Sequence, residues 1–201
     1  MNENYLKALK YKKENDYEQS LKFLQKAVED KHADATNLIG EYYYLGLGVE
    51  KDIFRALEYF EEGIKLGSFD AMVNYATYHS TDGYNKNNQL LVEQNLRKPL
   101  SINNPKALTL MYFLYDNAIF YDKNEKLAMD YLMKAVELEH DDAIILYADK
   151  LLEIGNENKA ISLLKEQSDN GFSQASRRLA NIYMNSTKNY DLNEAIDYLH
   201  I

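Results

Sequence analysis

A 36-residue period constrains this chain more than any other feature of its sequence. Stepping by 36 from Ala35 gives Ala71, Ala107 and Ala143, four alanines in unbroken register. Asp16, Asp52, Asn88 and Asn124 form a second column, of the type that caps helix N-termini. Four residues further on come Ser20, Ala56, Val92 and Ala128, then Phe23, Tyr59, Asn95 and Tyr131, then Ala27, Gly63, Pro99 and Ala135. Tyr43 and Tyr115 lie two steps apart. A period in the range of roughly 20–50 residues marks a stacked repeat, in which no unit buries its apolar face alone and each neighbour covers the last. The columns divide the chain into repeats at about 1–34, 35–70, 71–106, 107–142, 143–174 and a truncated 175–201.

Each repeat splits into two helical patterns. In the clearest one, Asp34 to Leu45 sets Ala35, Leu38, Ile39 and Tyr43 at the spacing of one helical face. Gly46-Leu47-Gly48-Val49 then reverses the chain, because glycine takes positive φ without a steric penalty. Asp52 offers an oxygen to the open N–H groups of a second helix, which carries Ala56, Tyr59, Phe60, Gly63 and Ile64 on one face and stops near Gly67. Small residues at Gly40, Ala56 and Gly63 let helices approach closely, and Tyr43 and Tyr59 fill the space beside them. With two prolines and eight glycines in 201 residues, the chain has too few turn formers for an all-β fold.

The other repeats depart from this pattern in defined ways. The first and fifth lose about four loop residues, so Ala175 follows Ala143 by 32. In the fourth, Ala118, Phe120 and Tyr121 replace the glycine loop, which predicts a first helix running on to about Tyr121. In the third, Asn95 stands where an aromatic belongs, and Pro99 is expected to end the second helix near Lys98. Asn104-Pro105 then makes a good start for the next helix. The sixth stops at Ile201 before its second helix is complete.

The segment Ala33 to Gly67 resembles a Sel1-like repeat, a branch of the tetratricopeptide-type α-solenoids. Ala35, Gly40, Tyr43, Gly46, Gly48, Val49, Asp52, Ala56, Tyr59 and Gly67 fall on that pattern, with Ile39 at its leucine position. The resemblance implies an all-α, right-handed superhelix of about five and a half helical hairpins, acting as a non-enzymatic scaffold or adaptor that binds a protein or peptide. By likeness to tetratricopeptide grooves, the first helices would line a concave face. The lining positions are Asn37, Glu41 and Tyr44, then Val73, Thr77 and Ser80, then Thr109, Phe113 and Asp116. Ile145, Asp149 and Leu152 follow, then Arg177, Asn181 and Met184. Some cysteine-rich relatives are linked to β-lactam hydrolysis, which makes a hydrolase the competing class; an architectural spacer in a longer polypeptide is the third.

Composition and motifs are in keeping with the scaffold reading. The absence of cysteine excludes disulfides, thiolate metal sites and cysteine nucleophiles, and with them the hallmark of the hydrolase subgroup. A net charge of −9 has the wrong sign for a general nucleic-acid binder, and the basic run Lys7 to Lys13 is diluted by Glu14 and Asp16. The start shows no secretory pattern, and Leu110 to Tyr121 is too short and too polar to span a bilayer, so a cytoplasmic location is expected without membrane insertion. His32 and His140 fall at repeat junctions, His79 takes the Tyr43 column and His200 lies at the end. Glu61-Glu62 and Asp141-Asp142 read as solvated or capping acids rather than a catalytic pair, and Asn185-Ser186-Thr187 as an incidental sequon. No cofactor or metal is expected.

Overall fold

The computed structural model describes residues 2–186 and 189–199. Thr187 of the sequon, His200 and Ile201 lie outside them. Among the described residues all regular structure is helical, apart from one short 3-10 turn at Lys86–Asn88. The helices are α1 (Glu3–Lys13), α2 (Tyr17–Glu29), α3 (Ala33–Leu45), α4 (Ile53–Lys65), α5 (Phe69–Ser80), α6 (Gln89–Ser101), α7 (Pro105–Asp116), α8 (Glu125–Glu137), α9 (Asp141–Glu153), α10 (Glu157–Asp169), α11 (Ser173–Asn185) and α12 (Leu192–Leu199). Two compact halves meet in sequence between Leu110 and Met111.

In the N-terminal half α1 to α6 pack each against the next, and the first helices α3 and α5 also touch one another. In the C-terminal half the same scheme runs from α8 to α12, with α9 against α11. The alanine column lies at the centre of this packing: Ala35, Ala71, Ala107, Ala143 and Ala175 are all fully buried. Gly40 shows why small residues are needed beside it. A Cβ built there would sit 2.7 Å from the Phe60 ring and 3.2 Å from the Ala56 carbonyl oxygen, inside van der Waals contact. At Gly63 the clash would be with the Ala71 Cβ, at 2.8 Å.

The aromatic columns pair up within hairpins. Tyr11–Phe23, Tyr43–Tyr59, Tyr115–Tyr131 and Tyr183–Tyr198 stack at centroid separations of 5.5–6.0 Å with ring planes within 10° of parallel. Such pairs contribute about 0.5–1.5 kcal/mol beyond their burial. In the third repeat His79 and Asn95 occupy these columns. His79 packs edge-on against Tyr75 and Tyr78 instead, and Asn95 turns its amide back to the Leu91 carbonyl.

The ends of the second helices share one geometry. Lys31, Gly67, Asn103, Glu139 and Gly171 all take left-handed φ. The following N–H returns to a carbonyl five residues back: His32 to Ala27, Ser68 to Gly63, Asn104 to Pro99, His140 to Ala135 and Phe172 to Gln167. This closure satisfies carbonyls that the helix end leaves open. The side chains of His32, Ser68 and Asn104 then accept from the N–H of the third residue of the next helix. One short motif thus ends one helix and begins another.

Three sequence expectations need correction. Helix α6 runs through Pro99 to Ser101 rather than ending near Lys98. Pro99 lies in the last turn, where it forfeits a single N–H, and its ring is buried in the small-residue column of Ala27, Gly63 and Ala135. Asn88 precedes α6 but makes no side-chain cap; its amide goes to His79 Nδ1 (3.1 Å) and the Gly83 carbonyl (3.2 Å). Asp16, Asp52 and Asn124 do cap their helices.

The third correction concerns α7, which ends at Asp116 and not at Tyr121. Ala118 (φ 54°) and Phe120 (φ 63°) adopt the left-handed conformation of Gly46 (φ 74°) and Gly48 (φ 67°), their counterparts two periods earlier. The loop hydrogen bonds are also the same. Leu47 N–H to Tyr42 O and Asp52 N–H to Tyr43 O recur as Ile119 N–H to Leu114 O and Asn124 N–H to Tyr115 O. The glycine loop is kept without its glycines.

Candidate binding face

Helices α1, α3 and α5 and the start of α7 present a connected polar network in the N-terminal half. Glu41, on α3, is its centre. Its Oε1 accepts from Asn37 Nδ2 one turn earlier (3.0 Å) and from Asn74 Nδ2 on α5 (3.0 Å). Asn74 also donates to Asn37 Oδ1 at 2.9 Å, so the two amides form a ladder across neighbouring first helices. Lys12 approaches Glu41 from α1 at 3.8 Å and Lys106 from α7 at 3.7 Å. Lys106 is anchored more tightly by Asp70, at 2.7 Å, and Asn104 also reaches that carboxylate. Burial pulls the Lys106 ammonium down, but Glu41 and Asp70 outweigh it and hold it above the usual lysine value. The cluster is electrically balanced, two carboxylates against two ammonium groups.

The periphery of this face is more self-contained. The Tyr44 hydroxyl donates to the Asp82 carboxylate, and burial together with that acceptor pushes its pKa up to about 12. Thr77 and Thr109 return their hydroxyls to carbonyls four residues back, Val73 and Pro105. Ser80 is buried and does the same to Ala76, and Val73 is also buried. Asn37 is equally buried, and none of Asn37, Val73 and Ser80 is offered directly to a ligand.

The C-terminal half carries a different arrangement. Lys150 on α9 bridges Asp116 (3.1 Å) and Glu153 (3.0 Å), and the Tyr112 hydroxyl donates to Asp116 at 3.3 Å. The hydrogen bond to Glu153 and then Asp116 hold the Lys150 ammonium well above its usual value despite desolvation. These groups edge a cleft of about 630 Å³ between α7, α8 and α9, with Met129, Met133, Tyr147 and Leu151 in its walls. Asp149 receives Arg178 from α11, through Nε at 2.7 Å and through a terminal nitrogen. Phe113 is half-buried, while Arg177 and Asn181 are exposed. Among the described residues no three His, Asp or Glu side chains gather as metal ligands, and no helix is long and apolar enough to cross a membrane.

The structure therefore joins Asn37 to Glu41 and connects Asp116 and Asp149 to partners that the sequence reading had not chosen. Asn74, Lys106, Asp70, Lys12 and Lys150 were missed, and the arginine that meets Asp149 is Arg178, one residue beyond Arg177. A signal for Asp70 and Lys106 was present: Asp34, Asp70, Lys106 and Asp142 form a 36-residue column with one reversed charge.

The family model for the Sel1 repeat matches residues 3–32, 33–68, 112–140 and 173–201. Among solved structures, a Sel1 repeat protein from Oxalobacter formigenes is 26% identical with a TM-score of 0.57, over 98% of this chain and 80% of that one. An immunity protein from Pseudomonas aeruginosa is 23% identical with a TM-score of 0.67, over 90% and 72%. A second immunity protein from that organism is 19% identical with a TM-score of 0.64, over 96% and 79%. The likeness to these two is one of fold. No curated protein sequence gives a significant match. Matched over more than half its residues and built of the same stacked helical hairpins, the chain belongs to the Sel1 repeat family, whose repeats generally serve protein–protein interaction.

Proposed function

We propose that this chain is a non-enzymatic scaffold that holds an extended protein or peptide segment along the concave face lined by its first helices. The observation that carries the reading is the amide ladder of Asn37 and Asn74 on Glu41, flanked by Lys12 and Lys106. Asn37 is buried and acts as a brace that holds Glu41 and Asn74 in place, so the amide that can meet a peptide backbone is that of Asn74. Asn74 spends its two N–H groups inside the network, and no donor among the described residues meets its Oδ1, which is left for a backbone N–H. Lys106 is committed to Asp70, whereas Lys12, only 3.8 Å from Glu41, gives the same face a place for a carboxylate. The adjacent acids are structurally placed: Glu61 accepts from Tyr75, Glu62 pairs with Lys65, and Asp141 and Asp142 stand in the first turn of α9, where negative charge complements the helix dipole.

The test is to select peptides by display on the whole chain and to measure their affinity for Ala substitutions at Asn37, Glu41, Asn74, Phe113, Asp149 and Asn181. Loss of a peptide hydrogen bond to a charged or amide partner costs about 1–3 kcal/mol, so affinity falls roughly 5- to 150-fold for Glu41→Ala and Asn74→Ala. Unchanged affinity across the set, with melting curves showing folded variants, removes the concave face as the binding surface.

A further inference from the structure

The C-terminal half breaks a rule that the other repeats keep. The column of Gly40 contains Ala8, Ala76, Ala148 and Ala180, but in the fourth repeat it contains Tyr112. That column is where a second helix comes closest to its first helix, as the Gly40–Phe60 approach shows. A tyrosine there places a ring where the fold otherwise admits a hydrogen or a methyl group. It does so beside the cleft of about 630 Å³. Met129 and Met133, one turn apart on α8, line the same cleft, and unbranched thioether side chains adapt their shape to an inserted aliphatic chain.

The rim adds a charge preference. Asp116, Glu125 and Glu153 supply three carboxylates against the ammonium groups of Lys123 and Lys150, leaving one negative charge unbalanced in a chain whose net charge is −9. Lys150 already displays the fitting chemistry, since its own ammonium lies between Asp116 and Glu153. We infer that the cleft is a side-chain pocket for a basic residue of a bound peptide: the aliphatic stem lies on Tyr112, Met129 and Met133, and the cationic head reaches the Asp116–Glu153 rim. The inference rests on the peptide-binding reading but specifies one residue of that peptide.

The test uses the full chain labelled with 13C at its six methionine methyl groups, with Met129 and Met133 assigned by Met→Leu variants. Nα-acetyl-lysine methylamide should shift both signals saturably while Met72 and Met184 stay in place. The norleucine analogue, with the same stem and no charge, should bind about fivefold more weakly, as should the lysine derivative to Glu153→Gln, since a solvent-exposed ion pair is worth up to about fivefold in affinity. Equal or tighter binding of norleucine overturns the charge preference, tighter binding of the glutamate derivative reverses it, and no saturable shift at tens of millimolar removes the pocket. Because the probe is a single amino-acid derivative, such a failure leaves the alanine scan with selected peptides to be judged separately.

Discussion

Replacing Ala118 with glycine should make this protein more stable, although it deletes a methyl group and adds backbone freedom. Ala118 stands at φ 54°, where the Cβ of an L-residue crowds the backbone at a cost of about 1–2 kcal/mol. Glycine has no such cost, but it loses about 0.5–1 kcal/mol more conformational entropy on folding. Ala118 is exposed, so its methyl group contributes no packing to offset the gain. The balance is a stabilisation of about 0.5–1 kcal/mol. With a urea m-value of about 2–3 kcal/mol/M, the unfolding midpoint should rise by roughly 0.2–0.5 M. Because repeat arrays do not always unfold in one step, a local readout is needed as well. The Asn124 amide, bonded to Tyr115 O across the loop, should exchange more slowly in Ala118→Gly. The reciprocal change, Gly46→Ala, forces φ 74° on an alanine and brings its Cβ to 3.3 Å from the Lys51 Cβ. It should lower the midpoint by a comparable or larger amount. If Ala118→Gly lowers the midpoint, or speeds exchange at Asn124, then no left-handed strain is stored in this loop and the argument fails.

Three further outcomes follow from other parts of the structure. Ser20 Oγ lies 2.8 Å from the Ala8 carbonyl and 2.7 Å from Tyr42 Oη; its one proton goes to the carbonyl, so the tyrosine donates to Ser20. Ser20→Ala should cost about 1–3 kcal/mol by stranding the Tyr42 hydroxyl, and adding Tyr42→Phe should cost less than the two changes summed; an additive double-mutant cycle would show that the bond carries no coupling. Gly63→Ala gains helix propensity of about 1 kcal/mol but sets two Cβ atoms 2.8 Å apart on packed helices, so denaturation should show a net loss of about 1–2 kcal/mol, and a more stable variant would refute the close approach. Burial holds the His79 imidazole below the usual histidine value, with Glu61 opposing, so the unfolded chain takes up the proton first. Stability is then intact above about pH 6.5 and is lost as pH falls through the lower folded value. His79→Phe should flatten the decline in melting temperature between about pH 7 and pH 5; an identical slope in the variant would assign the decline to other groups.

What could be read from the sequence, and what could not, divides along a physical line. Columns of Ala35, Tyr43 and Tyr59 are legible because stacking equivalent hairpins demands the same volume at the same place in each, and volume is a property of residue type. The stacked rings of Tyr115 and Tyr131 follow from this alone. The backbone of the 117–124 loop does not. Its left-handed residues are imposed by hydrogen bonds that α7 and α8 hold at either end, Ile119 to Leu114 and Asn124 to Tyr115, and those bonds override what Ala118 and Phe120 prefer. Pro99 is another case: a propensity argument places the helix end before it, while burial in the small-residue column carries α6 one turn further. The binding face is the least legible, because neighbouring positions on a helix are rotated by about 100° and each contact depends on the helix beyond. Arg178 rather than Arg177 meets Asp149 for that reason. Asn74 occupies the column of Leu38, where a single hairpin calls for an apolar residue. Only when α3 and α5 stand side by side does an amide at that position find Asn37 and Glu41, so the polar ladder belongs to the stack and not to any one repeat.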